Sequence, residues 1–364
     1  MKLHKLSHLL FFFILLFPTS GIIILGCSSG AIKHYTTINP QDAKAYYNRG
    51  NAKSESGDKA GAIADYTQAI TINPQYAIAY SNRGNAKYES GDKAGAIADY
   101  TQAITINPQL AGAYYNRGNT KDDLGDKAGA IADYTQAITI NPQDAEAYNN
   151  RGLAKSESGD KAGVIADYTQ AITINPQYAE AYYNRGVAKY ESGDKAGAIA
   201  DYTQAITINP QYANAYSNRG GAKSESGDKA GAIADFTQAI TINPQYAEAY
   251  YNRGVAKYES GDKAGAIADY TQAITINPQD AKAYYNRGLA KSESGDKAGA
   301  IKDFTQTITI NPQLAIAYGN RGLAKSESGD KAGAIKDLKT AKQLFQQQGN
   351  TQNAQKVQEI LNKL

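Results

Sequence analysis

The chain has 364 residues, 42% of them hydrophobic, with 38 Lys plus Arg against 35 Asp plus Glu and a formal charge of +3. One cysteine, Cys27, excludes an intrachain disulfide and a thiolate metal cluster, and the three histidines, His4, His8 and His34, leave the rest of the chain without imidazole acid–base chemistry or a usual zinc site. The near-neutral balance also excludes the broad basic footprint of a nucleic-acid binder.

The first element is an export signal. Lys2 and Lys5 precede an apolar run at 9–17; Pro18 interrupts it, a second apolar run covers 22–27, and no acidic residue occurs before Asp42. A basic start, a short apolar stretch and a small residue before the cut describe a secretory signal peptide over residues 1–26. Its end, Ile24, Leu25, Gly26, Cys27, Ser28 and Ser29, resembles a bacterial lipoprotein signal, although Leu25 stands where that family usually has a small residue. The resemblance implies cleavage before Cys27, lipidation of its thiol, and an exported protein of the cell envelope anchored to a membrane by lipid. An uncleaved N-terminal transmembrane anchor and a plain cleaved signal remain open.

Residues 27–42 read as a linker ending in a repeat remnant, 35–40, and the repeat itself follows. Asn-Pro recurs at Asn39, Asn73, Asn107, Asn141, Asn175, Asn209, Asn243, Asn277 and Asn311, each step 34 residues, and the arginines from Arg49 to Arg321 keep the same step. With Ala43 as position 1 and Tyr76 as position 34, nine units fill residues 43–348. Each unit predicts two helices. The first, near 43–56, stops at Gly57, a residue suited to the left-handed conformation. Asp58 caps the second, Ala62, Ile63, Tyr66, Ala69 and Ile70 give it an apolar stripe of helical period, and Pro74 ends it. Two such helices cannot bury their faces alone, but stacked units can.

At this point the unit resembles a tetratricopeptide (TPR) repeat. Tyr46, Gly50, Ala62, Tyr66, Ala69 and Pro74 match the family's positions 4, 8, 20, 24, 27 and 32. Arg at position 7 and Lys at position 11 depart from its commonest pattern, Leu and Tyr. The resemblance implies an all-α, right-handed superhelical solenoid of helix pairs and a protein-binding scaffold rather than an enzyme. The ninth unit has Gln346 where Pro is expected. Beyond it, residues 349–364 predict a capping helix, apolar at Val357, Ile360, Leu361 and Leu364.

On a helical wheel, positions 2, 5, 6, 9, 12 and 13 of the first helix share the arc opposite Tyr46 and Gly50. In the TPR family that arc lines the concave groove. Positions 2, 5, 9 and 12 are also where the nine copies differ most. Tyr47, Tyr115, Tyr183, Tyr251 and Tyr285 occupy position 5, and Tyr88, Tyr190 and Tyr258 position 12. A merely solvated face does not collect tyrosine, which is enriched at recognition surfaces. Position 6 is invariant: Asn48, Asn82, Asn116, Asn150, Asn184, Asn218, Asn252, Asn286 and Asn320. An amide can pair with a peptide N–H and C=O together, so these nine are expected to form a ladder for an extended backbone, with the tyrosines forming side-chain pockets. The competing expectation is that the amides bond within the protein and the variation is drift. Arg at position 7 is expected to pair with the Asp found at position 23 of every unit, because a desolvated guanidinium needs a partner.

The carboxylate clamp of chaperone-binding TPR proteins, which resembles Lys at position 5 with Asn at position 9, is incomplete; only Asn51, Asn85 and Asn119 match. The leading expectation is a non-enzymatic envelope scaffold that binds an extended peptide or partner protein, needs no cofactor and contacts the membrane through its lipid. A structural spacer with no groove ligand is the alternative. A glycan-acting enzyme with paired carboxylates such as Glu55 and Asp58 is remote, because those acids recur in each unit as cap and loop residues do.

Overall fold

The computed structural model describes residues 39, 41–156 and 161–364. The expected export segment 1–26, Cys27 and most of the 27–42 linker lie outside them. Among the described residues there are nineteen helices and no strand, in the alternation of the 34-residue step. No helix among them is long and apolar enough to cross a membrane.

The first unit shows why the sequence folds this way. Asp42 accepts from the Ala45 N–H at 3.0 Å and opens the helix Ala43–Glu55. Gly57, at φ 82°, turns the chain in a conformation that a Cβ would strain. Asp58 then accepts from the Gly61 N–H at 2.9 Å and starts Lys59–Ile72. Asn73 accepts from the Gln75 N–H at 3.1 Å across the Pro74 break, which accounts for the recurring Asn-Pro. Where position 34 is Asp or Tyr it does different jobs. Asp42, Asp144 and Asp280 cap the next first helix. Tyr76 and Tyr212 do not cap; their rings pack on Tyr47 and Tyr183 at 5.1 and 4.9 Å between centroids.

The core runs between the helices as a chain of small clusters. Ala62, Tyr66 and Ala69 of one second helix and Ala79 and Ala86 of the next first helix are buried. The Tyr66 ring lies against Gly50, where a Cβ would stand 2.7 Å from Cε1. Position 8 is therefore Gly so that an aromatic ring can replace a side chain between the two helices. The second helix of unit nine, lacking the proline, runs on over Lys331–Gln347. Its Leu344 and Phe345 pack with Ala354 and Val357 of a last helix, Thr351–Leu361, which closes the apolar end.

Each first helix touches the first helix of the next unit, whereas neighbouring second helices stand further apart. Unequal spacing bends the stack, so the first helices line its inner face.

Candidate functional site

The two unusual family positions are explained by one device. Arg83 donates from Nε and Nη2 to both oxygens of Asp99, at 2.8 and 2.7 Å. Lys87 adds its ammonium to the same carboxylate at 2.8 Å. The free Nη1 reaches the preceding unit and donates to Thr67 Oγ1 at 3.1 Å, while the guanidinium carbon lies 5.5 Å from the Tyr80 ring centroid. The same set recurs up to Arg321, Lys325, Asp337 and Thr305. The expected Arg–Asp pair is thus present, and it also ties units together. Lys at position 11 and Thr at position 25 were not anticipated as partners; the signal available was Lys in all nine copies and Thr in eight, Lys339 standing in the last. Burial pushes the Asp65 and Asp337 carboxyls up, but hydrogen bonds from Arg49 and Lys53, and from Arg321 and Lys325, outweigh it and hold both below the ordinary range.

The position 6 amides face the inner surface, and most bond along it. Asn82 donates to Tyr47 Oη at 3.1 Å and Asn51 Oδ1 at 3.0 Å, both in the preceding unit. Asn150 repeats this on Tyr115 and Asn119. Asn218, Asn286 and Asn320 donate to Tyr183, Tyr251 and Tyr285 at 3.2, 2.9 and 2.9 Å. Asn116 uses Asn85 and Asn184 uses Asn149. Asn48 has no preceding first helix among the described residues. Asn252 is the interior exception. The expectation of a ladder with both halves of each amide open is therefore corrected: in seven of the nine the NH2 group is committed to the neighbouring unit, and Oδ1, except in Asn150 where it accepts from Asn149, is what a peptide would meet.

The position 5 tyrosines are corrected in the same way. Tyr47, Tyr115, Tyr183, Tyr251 and Tyr285 are half-buried, their rings 5.9–6.0 Å from the position 24 rings of their own units. They are packing groups that present a hydroxyl to the next unit, and Tyr183 also lines a cavity. The wheel could not show this, because it treats one helix at a time and the partners lie on the next.

Position 12 behaves differently. Tyr88, Tyr190 and Tyr258 keep part of the ring accessible and donate to the position 13 acid of the next unit: Asp123 at 2.5 Å, Glu225, and Glu293 at 2.5 Å. Burial, and then that hydrogen bond, pushes the Tyr190 and Tyr258 phenols up to about 12. The same acids take Lys from position 17 of the preceding unit, as in Lys195–Glu225 at 2.8 Å and Lys263–Glu293 at 2.9 Å. Position 13 is acidic throughout because it bridges units. Asp58, weighed with Glu55 as a carboxylate pair, is accounted for as a helix cap.

Position 9 sets the polarity of the inner face. Asn51, Asn85 and Asn119 each accept from the position 24 hydroxyl at 2.8 Å. From unit four the position becomes Leu153, Val187, Gly221, Val255, Leu289 and Leu323, with Leu153 and Leu323 exposed. Three cavities open on this face in the interior of the array, besides one of about 150 Å³ at its end beside Ile316 and Leu323. One of about 230 Å³ has Asn85, Tyr88 and Asn119 in its walls, one of about 240 Å³ has Leu153, Tyr183 and Val187, and one of about 410 Å³ has Tyr190, Asn218, Gly221 and Asn252.

The TPR repeat family matches residues 50–91, 84–125, 123–159, 157–193, 222–261 and 256–295, more than half of the chain. Two further tetratricopeptide repeat descriptions match 179–212 and 281–314. No curated protein sequence matches. Among solved structures, the C-terminal part of a TPR repeat-containing protein from Cytophaga hutchinsonii is similar at 16% identity, covering 66% of this chain and 98% of that one with a TM-score of 0.56. A tetratricopeptide repeat protein from Parabacteroides merdae is similar at 20% identity, covering 68% and 98% with a TM-score of 0.50. The protein MamA is 30% identical over 45% of this chain and 96% of its own, with a TM-score of 0.44. The first two similarities are similarities of fold.

Proposed function

Because the chain belongs to the tetratricopeptide repeat family, whose all-α solenoid it forms, we propose that it is a non-enzymatic interaction scaffold of the bacterial cell envelope that holds an extended peptide or partner protein on its inner face. The observation that carries this is the placement of the cavities. The three interior ones lie on the first-helix face and draw on positions 9 and 12, where the copies differ. The invariant core holds the frame, and the variable positions give each stretch of groove its own chemistry. Apart from Asn150, whose Oδ1 accepts from Asn149 Nδ2 at 3.3 Å, the Oδ1 atoms of the Asn series can accept from a peptide's N–H groups.

In this reading Cys27 is the lipidated first residue of the mature protein. Mass spectrometry of the membrane-extracted protein should find residues 1–26 absent and Cys27 acylated. Retention of 1–26, or a Cys27→Ala protein that stays in the membrane fraction unchanged, contradicts it.

One observation favours the spacer reading: the Asn and Tyr groups of the face already bond between units. Crosslinked capture from the native envelope separates the two. Leu153→Lys with Leu323→Lys should lose the captured partner while moving stability by no more than about 0.5 kcal/mol each, since both side chains are exposed. Equal capture by the variant refutes the groove.

A further inference from the structure

Unit six breaks the pattern of the array. It carries Ser217 at position 5 and Gly221 at position 9, the two positions that supply bonding partners to the next unit elsewhere. The Asn252 side chain therefore meets neither a tyrosine hydroxyl nor a side-chain amide, and among the described residues it makes no side-chain hydrogen bond, unlike Asn218 before it and Asn286 after it. The cavity of about 410 Å³ opens at this point.

Gly221 lies inside the helix Ala213–Glu225, where glycine is a poor choice, and a Cβ there would have no atom within 4 Å. No neighbour requires the missing side chain; its one structural effect is the opening. Val187, Phe236 and Val255 give the cavity apolar walls, and neither Lys nor Arg lines it. Three carboxylates line it and differ in state: Glu191, which is engaged within the protein, Glu225 and Glu248. Glu225 is held by Lys195 and Tyr190. Glu248 is exposed on the first turn of its helix and pairs with no cation among the described residues. Apolar walls suit methylene groups, an unpaired carboxylate suits a cation, and a free amide oxygen suits its N–H groups.

We infer that the cavity between units six and seven receives a lysine or arginine side chain of an extended peptide, an inference that rests on the groove reading above. The aliphatic stem lies along Val187, Phe236 and Val255, and the cationic end meets Glu248 and the Asn252 Oδ1.

The test uses the full chain and dye-labelled Ser/Ala peptides that differ only in one central residue, Arg, Lys, Leu or Glu, read by fluorescence anisotropy. The Arg and Lys peptides should bind about tenfold more tightly than the other two, as a charge-assisted contact implies. Glu248→Lys, an exposed change, should abolish that preference. Ser217→Tyr with Gly221→Asn copies the pair Tyr47 and Asn51 into unit six, fills the cavity and engages Asn252; it should reduce the Arg peptide to the level of the Leu peptide with helicity retained. Equal binding of all four peptides, or undiminished Arg binding in both variants, overturns the pocket and leaves the groove reading standing. Absence of binding by every peptide also overturns the pocket, and the envelope capture then judges the groove on its own.

Discussion

Replacing Arg185 by Ala in unit five removes the centre of one inter-unit tie. The guanidinium donates to Asp201 at 2.8 and 2.7 Å and to Thr169 Oγ1 at 3.2 Å, and it lies 5.6 Å from the Tyr182 ring centroid. Asp201 is 3% exposed, so the stranded carboxylate cannot turn to water. Breaking a buried pair from one side costs about 3–5 kcal/mol. Here Lys189 Nζ stays 2.8 Å from Asp201 and offsets part of that, while the lost Thr169 contact adds about 0.5–1.5 kcal/mol. The expected net loss is about 3 kcal/mol. Thr169→Ala alone should show only the interface share. The double change Arg185→Ala and Asp201→Ala should be less destabilising than the sum of the singles, by about 1–3 kcal/mol. Urea titration followed by far-UV circular dichroism reads the parent, the Arg185→Ala, Asp201→Ala and Thr169→Ala singles and the double, with the slope watched for a split transition, since a solenoid's stability is a sum of unit and nearest-neighbour contributions. An Arg185→Ala protein within about 0.5 kcal/mol of the parent, or strictly additive singles, refutes the staple.

Asn218→Ala should destabilise by about 0.5–1.5 kcal/mol because it frees Tyr183, whereas Asn252→Ala should change thermal stability little; equal effects contradict the assigned bonds. Gly186→Ala places a Cβ 2.7 Å from Tyr202 Cε1 and should lower the melting temperature by overpacking worth about 1–3 kcal/mol, outweighing alanine's helix preference of about 1 kcal/mol. A higher melting temperature contradicts the close ring contact. Asp65 and Asp337 are held below their ordinary range, so their contribution to stability is complete above the unfolded value of about 3.9 and disappears as pH falls through the lower folded value. The urea midpoint should therefore hold from pH 7 to about 5 and fall below about 4, less steeply in Asp337→Asn; a midpoint unchanged at about pH 2.5 contradicts this.

The fold was legible because each unit states its own boundaries: Asp58 caps, Gly57 turns, Pro74 stops, and the Ala–Tyr–Ala stripe packs. The Arg–Asp pair was legible from charge arithmetic, since a guanidinium in a packing position needs a carboxylate. The groove was only half legible. Which residues share an arc follows from one helix, so position 6 was placed on the inner face correctly. What those residues touch depends on the next unit, roughly one repeat further along the chain. Asn82 on Tyr47 and Tyr190 on Glu225 are contacts of that kind. The exception at Asn252 was hidden for the same reason: it arises from Ser217 and Gly221, residues of another unit.

The central claim is that a peptide or protein partner occupies the first-helix face. Photo-crosslinking residues placed one at a time in the native envelope test it most directly. Leu153 and Leu323 are exposed on that face, and Gln204 and Thr241 are exposed on second helices. Protein adducts should form from 153 and 323 and not from 204 and 241. Adducts of equal yield from the second-helix positions, or none from the first-helix positions, would contradict the account.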